Sequence, residues 1–261
     1  MTIPFFKYQG TGNDFIMIDN RLQTFPKNDT KLIATYCDRR FGVGADGLIL
    51  LENDISSDFN MIYYNSDGQL GSMCGNGGRC AVAFAQFLGI IDQQTTFVAA
   101  DGLHSAVCTG PQIALAMNEV AAIKPCLNGY FVNTGSPHFV LLTEDVAAID
   151  VDKEGAHWRR QPDFAPGGTN VNFVQMIGEN HFTLRTFERG VEAETLSCGT
   201  GATAVALTMH HLGKTTANQV TIDVLGGELV VSFEFDGSVY TNIQLIGPAA
   251  QVFSGNLNHP I

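Results

Sequence analysis

The stretch CGNGGRCAVAFAQFLG at 74–89 is answered by CGTGATAVALTMHHLG at 198–213. Cys, Gly, any residue, Gly and a run of small and apolar residues ending in Leu-Gly recur in one register. The two cysteines stand 124 positions apart, close to half of the 261 residues. Both runs are apolar or small around the whole circumference, with no charge after Arg79 in the first. Helices of that kind are buried rather than laid on a surface. The spacing predicts one helix over Gly77–Leu88 closed by Gly89 and another over Gly201–Leu212 closed by Gly213. A repeat at half-chain offset reads as an internal duplication: two similar domains, each presenting a cysteine at the start of a buried helix.

Most of the remaining chain reads as short strands with turn punctuation. FFKYQ and FIMIDN are joined by GTGND, and HFTLRTFE, VTIDVL and LVVSFEF follow late in the chain. Asp101-Gly102 and Asp236-Gly237 mark hairpins. A third helix is predicted in DTKLIATYCDRRFG, with Asp29 as N-cap and Gly42 as stop. The domain boundary is placed at Ile123-Lys124-Pro125, giving an N-terminal domain 1–123 and a C-terminal domain 124–248. The strand-like segment 249–261 is expected to cross back to the first domain.

Composition narrows the partners. With 14 basic and 26 acidic residues the formal charge is −12. Nucleic acid and anionic membrane surfaces both need a basic footprint, so neither is expected as a partner. The opening MTIPFFKYQGTGNDF lacks the basic start and apolar core of a signal peptide, which points to a soluble, cytoplasmic protein. The six cysteines contain no Cys-x-x-Cys pair, so neither a zinc site nor another metal site is expected. Cys37, Cys80, Cys108 and Cys126 read as buried hydrophobes. Glu192 and Glu194 read as solvated loop charges, and His210 and His211 as cations suited to a helix C-terminus.

Cys74 and Cys198 need their own reading. A helix start offers N–H groups and the positive end of a dipole, which together hold an anion and favour a thiolate. Two such turns facing each other would hold one carboxylate with a thiol on either side of its α-carbon. One thiolate could take the α-proton while the other thiol delivers a proton to the opposite face. Two groups are needed because a single fixed base returns the proton to the face it came from. Cysteine suits both roles, since its unperturbed pKa of roughly 8.5 is lowered at helix N-termini. The reading needs no cofactor. Its bland counterpart is a pair of structural cysteines in duplicated glycine turns.

With GTGNDF, FGVGADGLI, YNSDG leading into MCGNGGRC, TGSPHFV, GTNVNF and FERGVEAETLSCGTGATA set out, the whole chain resembles the diaminopimelate epimerases. The resemblance implies an α/β (α+β) fold of two pseudo-symmetric domains, each a curled, mostly antiparallel sheet around a central buried helix. It implies a cofactor-independent epimerase that interconverts LL- and meso-diaminopimelate for lysine and peptidoglycan precursors, with a homodimer as the assembly. Cys74 and Cys198 take the place of the catalytic acid/base thiols. Gly75 with Asn76, and Gly199 with Thr200, match the turns that bind the reacting carboxylate. Asn13, Asn65, Asn170, Glu188 and Arg189 match contacts to the substrate, mainly its distal end, while His138 and Glu188 match residues that tune the cysteines. The chain departs from the common family pattern in three places. Ser136 precedes Pro137-His138 where many members have Asn, Gly47 stands where many have Gln, and the loop from Arg189 to Cys198 is longer by about one residue.

Other readings compete. A proline racemase or hydroxyproline epimerase would use a similar cysteine pair, but Arg189 and the asparagine set suit a substrate with a second polar head. Phenazine-type isomerases share the fold and lack the pair. A thiol redox switch and an amino-acid-binding module belong to other classes; reversible oxidation without racemase activity would favour the switch.

Overall fold

The computed structural model describes residues 2–258. The described residues form two compact units, one running up to Leu115 and resuming at Gly247, the other spanning Ala116–Ile246.

In the first unit the strands are β1 (Thr2–Gly10), β2 (Asn13–Asp19), β3 (Gly47–Glu52), β4 (Phe59–Asn65), β5 (Gln94–Ala99), β6 (Gly102–Thr109), β7 (Gln112–Ala116) and, from the chain's end, β17 (Ala250–Asn258). Helix α1 (Thr30–Cys37) links β2 to β3, and α2 (Gly75–Phe87) links β4 to β5. Walking from β1 to β7, neighbouring pairs are antiparallel, parallel, antiparallel, parallel, antiparallel and antiparallel. β17 adds to the other side of β1, antiparallel.

The second unit repeats this order. Its strands are β8 (Ile123–Cys126), β9 (Gly129–Asn133), β10 (Pro137–Leu142), β11 (Asn170–Gly178), β12 (His181–Glu188), β13 (Ala193–Thr195), β14 (Gln219–Val224), β15 (Gly227–Phe235) and β16 (Tyr240–Pro248). Helix α3 (Val151–Arg159) links β10 to β11, and α4 (Gly199–His211) lies between β13 and β14. From β9 through β10, β11, β12, β14 and β15 to β16 the pairings again alternate antiparallel and parallel, ending on two antiparallel steps. β8 flanks β9 as β17 flanks β1, and β13 pairs with the end of β12. The duplication seen in sixteen-letter segments is therefore a duplication of topology.

Each unit is a sheet curled around its own helix. α2 packs against β1, β2, β3, β4 and β6, and α4 packs against β9, β10, β11, β12, β14 and β15. α4 is buried from Gly201 through Met209, and its alanines let the sheet approach closely. Val205 and Leu207 sit among Phe182, Val220, Ile222, Leu229, Val231 and Leu245. Fully burying a side chain of that size contributes about 1.5–3 kcal/mol, so the helix is fixed from all sides.

Four boundaries differ from the sequence reading. Both central helices begin directly after their cysteines, at Gly75 and Gly199, because the Cys74 and Cys198 carbonyls accept the first helical bonds from Gly78 N (2.7 Å) and Ala202 N (2.9 Å). α1 stops at Cys37 rather than at Gly42: Asp38 turns extended and its carboxylate takes the N–H groups of Arg40 and Phe41. The units divide between Leu115 and Ala116, ahead of Ile123-Lys124-Pro125, because β8 carries that segment and pairs with β9. α3 was not foreseen. Its segment VDKEGAHWR lacks an apolar stripe, and Gly155 lets it lie on Phe187, whose Cβ would be 2.3 Å from an added methyl group.

Candidate active site

Cys74 and Cys198 are the N-cap residues of α2 and α4, both with extended backbone. Neither thiol caps its own helix, so the cap side chains take none of the first-turn N–H groups. A short polar N-cap such as Ser or Asp would normally do so. Cys74 is half-buried and Cys198 is buried.

Register brings the other residues to these helix starts. In the first unit Phe15 stands beside Gly47, and Gly47 beside Asn65. The start of β2, the start of β3 and the end of β4 thus share one end of the sheet, which carries Asn13, Asp46, Gly47 and Asn65. In the second unit His138 stands beside Asn170, and Val171 beside Phe187. That places His138, Asn170 and Glu188 at the matching end.

In the first unit the Asn13 amide donates to Asp46 Oδ2 (3.0 Å), and its oxygen accepts from Asn76 Nδ2. Asp46 also receives Arg39 (2.8 Å), which grips Asp14 through both guanidinium nitrogens at 2.9 and 2.7 Å. Lys7 joins Asp14 at 2.8 Å. Burial pushes the Asp14 carboxyl up, but the bonds from Arg39 and Lys7 outweigh it and hold it at about 2. Asn65 is exposed, and an added methyl at Gly71 would lie 3.1 Å from its oxygen and 2.5 Å from the Tyr63 ring. The same ring would meet a methyl at Gly47 at 2.4 Å. Tyr63 therefore fills the space that a side chain at position 47 would need.

The second unit holds a neutral polar chain. The Asn172 amide donates to His138 Nδ1 (3.0 Å) and to Phe139 O (3.2 Å), while its oxygen accepts from Thr186 (3.1 Å). With Nδ1 accepting, Nε2 carries the proton and donates to Thr200 Oγ1 (2.9 Å). The Thr200 hydroxyl lies 3.6 Å from Cys198 Sγ and is left to donate to it. Burial pushes the His138 imidazole down to about 3, and the Arg189 charge acts in the same direction against the Asn172 bond. His138 thus reaches the thiol through Thr200, as a neutral ring. Gly201 is fixed by the same packing: a methyl there would lie 2.6 Å from Asn172 Oδ1 and 3.3 Å from Cys198 Sγ.

Asn170 is almost wholly buried and its groups are spent inside the protein. Its amide donates to Ser136 Oγ (2.9 Å) and Pro137 O (3.0 Å), and its oxygen accepts from Arg189 N (2.9 Å). It positions Arg189. The Arg189 side chain is exposed and makes no ion pair among the described residues. Glu188 accepts from Thr195 Oγ1 at 2.6 Å. Gly75, Asn76, Gly199 and Thr200 all lie in the first turns of the two helices.

One reading of the loop charges is corrected. Glu194 lies half-buried in β13, gripped by Arg185 of β12 at 2.6 and 2.7 Å, while Glu192 is exposed in the loop and meets Arg159 of α3 at 2.6 Å. Arg79, Thr11, Asn172 and Thr134 escaped the sequence reading. Thr134 donates to Thr200 O (2.9 Å), and Thr11 sits against Asn76, its counterpart in the first unit. The signal was present as a second repeat, Thr11-Gly12 and Thr134-Gly135, at nearly the offset of the cysteines. Among the described residues one group could ligate a metal: His181, Asp223 and Glu228, which includes none of these residues and starts from the opposite end of β12 to Glu188.

A family model described as diaminopimelate epimerase matches residues 5–117 and 130–250. The diaminopimelate epimerase of Flavobacterium psychrophilum is 57% identical over 249 residues, covering 95% of this chain and 97% of that protein. That of Chlorobaculum tepidum is 43% identical over 257 residues, covering 95% and 98%. Among solved structures, a phenazine biosynthesis protein of the PhzF family from Bacillus anthracis superposes with a TM-score of 0.80 at 13% identity, covering 99% of this chain and 100% of that one. A hydroxyproline epimerase from Agrobacterium vitis does so with 0.69 at 17% identity, covering 98% and 92%. Those two likenesses carry the fold; the relatives and the family model carry the assignment, and this chain belongs to the diaminopimelate epimerase family.

Proposed function

We propose that this isomerase interconverts LL- and meso-diaminopimelate, with Cys74 and Cys198 as its acid and base. The observation that carries the reading is the pair of N-cap thiols on two duplicated, buried helices in a chain of this family. The thiolate of one cysteine takes the α-hydrogen as a proton, leaving its electron pair on the α-carbon. The thiol of the other gives its proton to the opposite face. The net result is one proton taken, one returned, and an inverted centre. The first turns at Gly75–Asn76 and Gly199–Thr200 hold the α-carboxylate, and their N–H groups gain strength as charge moves onto it. Arg189 clamps the distal carboxylate, Asn13, Asn65 and Glu188 bind the rest of the distal head, and Asn170 holds Arg189 in place. His138 stabilises the Cys198 thiolate through the Thr200 hydroxyl. No cofactor enters. The setting is a cytoplasmic homodimer that supplies lysine and peptidoglycan precursors.

The test is turnover together with calorimetric binding for Cys74→Ser and Cys198→Ser. Positioned acid–base groups contribute about 10²–10⁴-fold. Each variant should lose on the order of 10³-fold in epimerisation and keep ligand binding. Near-normal epimerisation by either variant returns that cysteine to a structural role. Turnover of proline comparable to that of diaminopimelate would move the substrate assignment to the proline racemases.

A further inference from the structure

Asn13 and Asn76 stand in a chain of hydrogen bonds whose two ends fix its direction. At one end Arg79, fully buried one turn into α2, donates to Asn76 Oδ1 (2.9 Å) and to the Thr11 hydroxyl (3.1 Å). A guanidinium can only donate, so the Asn76 oxygen faces it. That turns the Asn76 NH2 toward Asn13, whose oxygen accepts from it. The Asn13 NH2 then needs an acceptor, and Asp46 Oδ2 supplies one at 3.0 Å. A carboxylate only accepts. Each amide is thus held at both of its ends, and neither can turn over without setting donor against donor.

Asp46 is itself fixed. Its N–H donates to Asp14 O (2.9 Å) and Asp14 Oδ1 (3.0 Å), its Oδ2 also accepts from Asp14 N (3.3 Å), and its Oδ1 accepts from Arg39 (2.8 Å). Two residues ahead of it, Gly44 O accepts from the buried Lys7 of β1. The loop that enters β3 is therefore tied to β1 and to β2, and its last residue is the one that meets Asn13.

The second unit carries the same device in other groups. Ser136 lies 123 positions after Asn13, and Asn170 lies 123 after Gly47. β10 and β11 run parallel, as β2 and β3 do. Across that pair the Asn170 amide donates to Ser136 Oγ (2.9 Å). Gly47 has no side chain with which to do this in the first unit, and the residue before it does so instead. Two unlike pairs of groups bridge the same two places, which is what a position that must be held requires.

We propose that Asp46 is a positioning residue of the first unit: it holds the Asn13 amide, and through it the Asn76 side chain in the first turn of α2, in the one orientation that a ligand meets. This rests on the reading of Asn13 and Asn76 as substrate contacts. Asp46 acts through Asn13 and touches no substrate itself.

The experiment combines steady-state kinetics on diaminopimelate with side-chain amide exchange of Asn13 by NMR, for the parent, Asp46→Ala and Asp46→Asn. Misplacing a binding group by about 1 Å can cost about 100-fold. Asp46→Ala should lose about 10–100-fold in kcat/KM, most of it as a rise in KM, because the lost orientation serves binding. Asp46→Asn can still turn its oxygen to Asn13 while the exposed Arg39 keeps Asp14, so it should recover most of the loss. The Asn13 NH2 should exchange slowly in the parent and faster in Asp46→Ala. A folded Asp46→Ala with parental KM overturns the proposal. So does an Asp46→Asn that falls as far as Asp46→Ala, since the acceptor facing Asn13 would then not be what matters. If Asp46→Ala does not fold, the parent decides: an Asn13 NH2 that exchanges as fast as that of an exposed asparagine overturns it equally. Failure of the epimerase reading would show separately, as a parent that does not turn over diaminopimelate although its Asn13 exchange is slowed.

Discussion

Replacing Thr200 with valine isolates the relay behind Cys198. Valine keeps the shape and the backbone N–H and removes only the hydroxyl that links His138 Nε2 (2.9 Å) to Cys198 Sγ (3.6 Å). A hydrogen bond to a charged group contributes about 1.5–3 kcal/mol, and 1.36 kcal/mol is one pKa unit. The Cys198 thiolate should therefore become harder to form by about 1–2 units. Epimerisation near neutral pH should fall about 10–100-fold, while Thr200→Ser should remain close to the parent. The imidazole N–H left without its partner in a fully buried site should lower stability by about 1–3 kcal/mol. The assays are deuterium incorporation at the α-carbon, the pH profile of Cys198 alkylation, and denaturant unfolding. Parent-like exchange with an unmoved Cys198 profile would mean that the hydroxyl does not reach the sulfur and that the relay is structural only.

Gly201→Ala drives a methyl to 2.6 Å from Asn172 Oδ1 and 3.3 Å from Cys198 Sγ; overpacking of this kind costs about 1–3 kcal/mol, and activity should fall further than Tm suggests. Gly47→Ala meets Tyr63 and the Tyr64 carbonyl, each at 2.4 Å; the backbone carbonyl cannot rotate away, so unfolding free energy should drop by about 1–3 kcal/mol. His138, held at about 3 in the folded chain, binds no proton where the unfolded chain does. Its contribution to stability is complete above pH ~6.5 and is lost as pH falls toward 3. Asp14, held at about 2, contributes fully above pH ~4 and is lost as pH falls toward 2. Acid titration followed by unfolding, with His138 followed by NMR, should show both windows; an imidazole shift changing near pH 6.5 would refute the first.

What was legible in the sequence was whatever repeats. The Cys-Gly-x-Gly starts and Leu-Gly ends gave the two central helices to within a turn, because beyond its first turn each carries small and apolar residues on every face. The strand order could not be read, since alternation marks a strand without naming its neighbour; pairing of β17 with β1 and of β8 with β9 depends on contacts far apart in sequence. α3 was hidden because a glycine that accommodates Phe187 sits where an apolar stripe was sought. Asn170 entered only through the resemblance, as a substrate contact; that its oxygen accepts from Arg189 N is visible only in the hydrogen-bond geometry. Arg79 was visible as the last charge in its helix, yet sequence cannot tell a buried cation from one that reaches solvent.

The two halves are copies whose helix starts are furnished differently. At the second, a neutral relay runs from Asn172 through His138 to Thr200, whose hydroxyl lies 3.6 Å from Cys198 Sγ. At the first, the matching helix carries the buried Arg79 where the second has Thr203. Under the proposed two-thiol mechanism each turnover would move a proton from one cysteine to the other, so every unit of difference between the two pKa values would be 1.36 kcal/mol that one direction must climb. A hydroxyl that donates to the sulfur would support a thiolate by about 1.5–3 kcal/mol. Burial keeps the histidine behind it neutral, so the relay supplies that support without adding a full charge.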